Sequence, residues 1–181
     1  MPSGYALCSA FTPGNRQALI GTKTGDIEIF DISSSSMIRS VKAHSGAIWS
    51  LDITADGKQL VTGSADHDVK FWDFDLARDD DDEEGTSPLR LTITPTKTLR
   101  MSDDVLCVKF SPDQRLLAVS LLDATVKVFY VDTLKFFLSL YGHKVRSRSY
   151  FCTSLHCNSF SPFFSCTLPT LAPSDVPGHL L

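Results

Sequence analysis

Short runs rich in Val, Ile, Leu and Phe alternate with polar segments carrying Pro, Gly, Asn or Asp through most of the first 144 residues. Three stretches share one pattern. Leu7-Cys8-Ser9-Ala10-Phe11-Thr12-Pro13 aligns with Trp49-Ser50-Leu51-Asp52-Ile53-Thr54-Ala55, 42 residues on. It aligns again with Leu106-Cys107-Val108-Lys109-Phe110-Ser111-Pro112, a further 57 residues on. The offsets persist downstream. Gln17–Thr22 matches Gln59–Ser64 and Leu116–Leu121, and Ile27–Asp31 matches Val69–Asp73 and Val126–Tyr130. A repeat of this period whose apolar runs are short and β-branched predicts strands, not paired helices.

Turn chemistry separates the runs. Thr12-Pro13-Gly14-Asn15, Ala55-Asp56-Gly57-Lys58 and Ser111-Pro112-Asp113-Gln114 predict tight turns, and Thr24-Gly25 and Ala65–Asp68 predict the next hairpins. A fourth strand is expected in each unit, around Met37–Val41, Leu91–Leu99 and Leu134–Leu140. Four antiparallel strands per repeat imply an all-β fold, a partial β-propeller of about three blades over residues 4–42, 43–100 and 101–144. The longer second period is explained by Asp79-Asp80-Asp81-Asp82-Glu83-Glu84, whose mutual repulsion predicts a solvated loop over 78–88.

Composition changes this picture at one place. Residues 145–181 hold only three charged side chains, Arg146, Arg148 and Asp175, beside seven Ser, four Pro and four Phe. No period runs through them, and a disordered, divergent tail is expected there. The net charge of −4 argues against a broad basic surface for nucleic acid. No apolar run is long enough to cross a bilayer, and the N-terminus lacks the pattern of a secretory signal. Five cysteines without such a signal predict a reducing compartment and no disulfide framework. Cys8 and Cys107 occupy equivalent strand positions and are expected in the core.

Gly63-Ser64-Ala65-Asp66-His67-Asp68-Val69-Lys70-Phe71-Trp72-Asp73 resembles a WD repeat, with Trp72-Asp73 closing its third strand. The resemblance implies a structural hydrogen-bond relay of His44, Thr62, Asp66 and Trp72. The chemistry is sound in itself: an indole N–H needs an acceptor, a hydroxyl relays, and an imidazole bridges to a carboxylate. A catalytic triad from the same residue types is disfavoured, because the hydroxyl is committed to the indole and no oxyanion site is suggested. The other units are degenerate. Unit one has Ile20, Thr24, Phe30 and Asp31 at the matching positions, and unit three has Val119, Asp123, Phe129 and Tyr130.

A longer stretch, Leu117–Lys144, is similar to the tandem-propeller WD-repeat subunits of the small-subunit processome, and Gly4–Cys8 and Ile20–Gly25 fit the same family. This resemblance, over about residues 4–144, implies a nuclear and nucleolar scaffold in small-ribosomal-subunit assembly and pre-rRNA processing. Its implied partners are other propeller subunits, with pre-rRNA and small nucleolar RNA contacted indirectly or weakly. No membrane, small-molecule substrate, cofactor, metal or catalytic residue is expected. The family continues differently after Gly142-His143-Lys144, so a truncated product with an unrelated C-terminus is expected, and it could be non-functional. Three blades do not close a ring, and marginal folding of the isolated chain is expected. Two alternatives are a WD-repeat adaptor outside ribosome assembly and a metal site of Cys152, His156, Cys157 and Cys166, with or without His143. The tail spacing lacks a Cys-x-x-Cys knuckle. Direct RNA binding would need Arg39, Lys42, Lys97, Arg100, Lys109, Arg115 and Lys127 to gather beside stacking aromatics, which their spacing does not suggest.

Overall fold

The computed structural model describes residues 4–77 and 90–142. The acidic run at 78–88 and the tail at 145–181 lie outside the described residues, as does His143. Among the described residues, twelve strands form three four-stranded antiparallel sheets in which chain order equals spatial order. The first sheet holds β1 (Ala6–Phe11), β2 (Gln17–Thr22), β3 (Asp26–Asp31) and β4 (Ser36–Lys42). The second holds β5 (Ile48–Ile53), β6 (Gln59–Ser64), β7 (Asp68–Ala77) and β8 (Arg90–Arg100). The third holds β9 (Val105–Phe110), β10 (Leu116–Leu121), β11 (Val126–Tyr130) and β12 (Phe136–Leu140). This is the expected all-β, WD-type arrangement of three blades. The β7–β8 hairpin runs longer than its counterparts, pairing through Ala77 and Arg90.

The sheets stack in order, with β1 against β5 and β5 against β9. Alternation along each strand sends successive residues of the middle sheet to opposite neighbours. Leu60 and Trp72 join Leu19, Ile27, Ile29 and Ile48 in one core between sheets one and two. Their chain neighbours Val61 and Phe71 join Val105, Val108, Leu117 and Phe129 in a second core between sheets two and three. Each sheet is therefore stabilised by the next one rather than by a core of its own.

Small residues on the second strand allow this close stacking. A Cβ on Gly63 would lie 2.5 Å from Val105 Cγ1, and one on Gly21 would lie 2.8 Å from Ile48 Cγ2. Polar ties cross the same seams. Ser50 Oγ accepts Val108 N–H at 3.2 Å, and Asp52 binds Lys109 Nζ at 2.5 Å while accepting Phe110 N–H at 2.8 Å. Cys107 is buried, as expected. Cys8, on the first sheet, is only half-buried; its thiol points across to Ile48 O at 3.5 Å.

The turns repeat in detail. The hydroxyls of Thr12, Thr54 and Ser111 each accept the backbone N–H five residues on, at Gln17, Gln59 and Leu116. The third position after each adopts left-handed φ: Asn15, Gly57 and Gln114. A second left-handed position recurs at Gly25, His67 and Ala124, between the second and third strands.

Candidate functional site

The four residues singled out for the relay meet on the face of the second sheet that packs against the first. β6 supplies Thr62 and β7 supplies Trp72, diagonal neighbours on one face. The β6–β7 turn supplies Asp66, and the link from β4 to β5 supplies His44, held by its N–H donating to Gly25 O at 2.9 Å. Trp72 Nε1–H donates to Thr62 Oγ1 at 2.9 Å, Thr62 Oγ1 lies 2.8 Å from His44 Nε2, and His44 Nδ1 lies 2.9 Å from Asp66 Oδ2. Asp66 also accepts the backbone N–H of Ser45 and of Asp68, each at 3.1 Å.

Proton accounting fixes the tautomer. Asp66 as a carboxylate only accepts, so His44 Nδ1 carries the hydrogen. Nε2 of a neutral imidazole then accepts, and Thr62 must donate to it. The alternative acceptor for that hydroxyl, Lys70 O, is 3.4 Å away. Burial pushes the His44 pKa below its ordinary value, with Asp66 only partly opposing this, so the ring is neutral near pH 7. Burial alone would raise Asp66. The charge His44 takes on in acid and the N–H donors of Asp68, His44 and Ser45 outweigh it and hold the carboxyl below its ordinary value.

The equivalent positions elsewhere carry no such chain. Val119 and Phe129 pack into the second core as apolar side chains. Asp123 instead caps its own turn, accepting Thr125 N–H at 2.9 Å. Thr24 binds Thr22 and Asp26 within the first sheet.

Of the basic residues considered for RNA contact, Arg100 and Lys127 line one open pocket with Phe129 and Phe136, and several others tie sheets together. Arg39 Nη1 donates to Thr92 Oγ1 at 3.2 Å, from the first sheet to the second. Lys97 Nζ donates to Asp132 O at 3.2 Å, from the second to the third. Lys109 binds Asp52 across the same seam, and Lys127 Nζ donates to Ser102 Oγ at 2.9 Å. Arg39 and Lys97 occupy matching ladder positions, opposite Ile29 and Phe71. That match is visible in the repeat alignment and was the available signal for their role as blade ties. The tail cysteines and histidine considered as metal ligands lie outside the described residues.

The outer faces of the stack present apolar side chains whose repeat counterparts are covered. Phe11 is 65% exposed, whereas Ile53 and Phe110 at the same position pack onto the two cores. Leu140 is 48% exposed, whereas Val41 and Leu99, its counterparts opposite the start of the third strand, are packed.

Comparison with known proteins agrees with this architecture. The family model described as the WDR3 second beta-propeller domain matches residues 1–152. The chain is 56% identical over 145 residues to "WD repeat-containing protein 3" of Mus musculus and 55% identical to the Homo sapiens protein of the same name. It is 51% identical over 146 residues to "U3 small nucleolar RNA-associated protein 12" of Saccharomyces cerevisiae. These alignments cover about four-fifths of the chain (80% for the two mammalian proteins, 78% for the yeast one) and 15% of each relative. The chain thus spans about 15% of the length of the curated relatives it matches.

Proposed function

The chain belongs to the WDR3 second beta-propeller family, and from that premise we propose that it is a non-catalytic scaffold element of the small-subunit processome. One observation carries the proposal: three blades stacked through continuous apolar cores, in a chain over half identical to a U3 small nucleolar RNA-associated protein. Propellers bind through loops and blade faces, and the chemistry of each surface decides the partner. Exposed Phe11 and Leu140 are suited to further blades of the same architecture. The relay of His44, Thr62, Asp66 and Trp72 is structural in this reading. It locks the link between the first two blades to the third strand of the second, and its hydroxyl is occupied by the indole. Partners are other propeller subunits, with pre-rRNA and small nucleolar RNA approached through them. The implied location is the nucleus, and the nucleolus within it.

Affinity purification of the tagged chain from nuclear extract, beside the full-length relative, tests this. Co-purification of processome propeller subunits is the expected result. Recovery of none of them, while the full-length relative recovers them, would remove the assignment.

A further inference from the structure

The two blade junctions have the same backbone but different side chains. At the first, the left-handed turn residue is Gly25, and the link it touches passes through Gly46 and Ala47. At the second, the same positions are His67, Asp103 and Asp104. The backbone bonds match: Ala43 N–H donates to Gly25 O at 3.0 Å, and Met101 N–H donates to His67 O at 2.8 Å. Likewise Ala65 N–H donates to Ala47 O, and Leu122 N–H to Asp104 O, both at 3.0 Å. The second junction thus gains three ionisable side chains where the first has two glycines and an alanine.

We propose that His67, Asp103 and Asp104 form a divalent metal site, best suited to zinc, that clips the second blade to the third. One potential ligand atom from each residue lies within 4.8 Å of the other two. His67 Nε2 and Asp104 Oδ1 are already 3.3 Å apart. Tetrahedral zinc with bonds of about 2.0–2.2 Å needs ligand atoms roughly 3.3–3.6 Å apart. Binding requires the Asp103 side chain to turn toward the other two, while the backbone bonds hold both segments in place. One Asp103 oxygen accepts Asp104 N–H at 2.8 Å, and a carboxylate has a second oxygen to offer. Two carboxylates facing one imidazole carry an excess of negative charge that a dication neutralises. An imidazole nitrogen among the ligands favours zinc over magnesium, which prefers oxygen. All three residues are partly exposed, which leaves an entry path, and solvent would supply the fourth ligand.

The test is titration of the full chain with zinc chloride, followed by calorimetry and thermal unfolding. His67→Gly removes the imidazole at a position where the first junction already has glycine, so the backbone is kept; Asp103→Asn is the second variant. A background with Cys152, Cys157 and Cys166 all changed to serine separates the site from the tail thiols. The expected result is one zinc per chain and a melting temperature raised by several degrees. Both effects persist in the serine background, vanish in the two site variants, and are weaker with magnesium chloride. No zinc response, or a response that survives His67→Gly or equals that of magnesium, would overturn the proposal.

Discussion

Trp72 and Thr62 are diagonal neighbours across the β6–β7 pair, and the indole N–H of one donates to the hydroxyl of the other at 2.9 Å inside the seam between two blades. That hydroxyl serves two buried groups, since it also donates to His44 Nε2 at 2.8 Å. Thr62→Val keeps the shape and strands both. An unsatisfied buried group costs about 1–3 kcal/mol, so for two the expected loss is roughly 2–6 kcal/mol. Thr62→Ser keeps the hydroxyl and loses one methyl, for about 1 kcal/mol. Urea unfolding of the two variants beside the parent chain measures the difference; equal losses would show that the relay adds nothing beyond packing.

Acid should weaken the same seam in two steps. The folded state holds His44 below its ordinary value of 6.5, so the unfolded chain binds the extra proton first. The stability His44 contributes is complete above pH 6.5 and falls as pH drops below it. Asp66 is held below 3.8, so its contribution is lost only below that pH. Half-buried Asp31 and exposed Asp56 and Asp113 are lowered by the hydroxyls of Ser33, Thr54 and Ser111 and act in the same lower window. Melting temperature measured from pH 8 to pH 5 should decline in the parent and stay flatter in His44→Gln. A parent curve flat across that range would contradict the neutral, buried imidazole.

The repeat made the strands legible because alternation and turn residues act locally. Leu60, Val61, Phe71 and Trp72 announce a two-faced strand pair before any neighbour is known. The relay was legible only by family pattern, since nothing local links His44 to Thr62 across 18 residues. The matching positions of Arg39 and Lys97 were visible in the repeat, but the acceptors of Arg39, Lys97 and Lys109 were not legible. A cation in a strand reads as solvent-facing, and its acceptor on the next blade is set by stacking, which no single repeat contains. The turn at Gln114 was legible, but the left-handed φ of Ala124 and Leu134 was not, for a related reason. The turn imposes left-handed φ, and residues that dislike it are carried there by the register of their neighbours.

Those left-handed positions give opposite predictions for one substitution type. Gly25 has φ of +92°, and a Cβ there would lie 2.3 Å from His44 O and 2.7 Å from Gly46 O. Both are backbone atoms, so Gly25→Ala combines strained φ with a clash that cannot rotate away. The expected cost is about 2–4 kcal/mol. Ala124 sits at the equivalent turn of the third blade with φ of +64°. Ala124→Gly relieves strain of about 1 kcal/mol, partly offset by the entropy of glycine in the unfolded chain. Thermal unfolding should show a lowered midpoint for the first and an unchanged or raised one for the second.

The blade seam itself can be tested where Gly63 meets β9. A Cβ on Gly63 would stand 2.5 Å from Val105 Cγ1 and 2.9 Å from Val108 Cγ1. Both valines are β-branched, fully buried and anchored on one strand, so neither can swing aside. Gly63→Ala should therefore push the third sheet from the second and cost about 1–3 kcal/mol. Val105→Ala alone opens a cavity and costs a similar amount. Together the new methyl occupies the space the old ones left, so the double variant should lose about 1 kcal/mol less than the sum of the singles. Strict additivity would mean that the two residues do not share a wall, and the face-to-face stacking of these blades would be wrong at its tightest point.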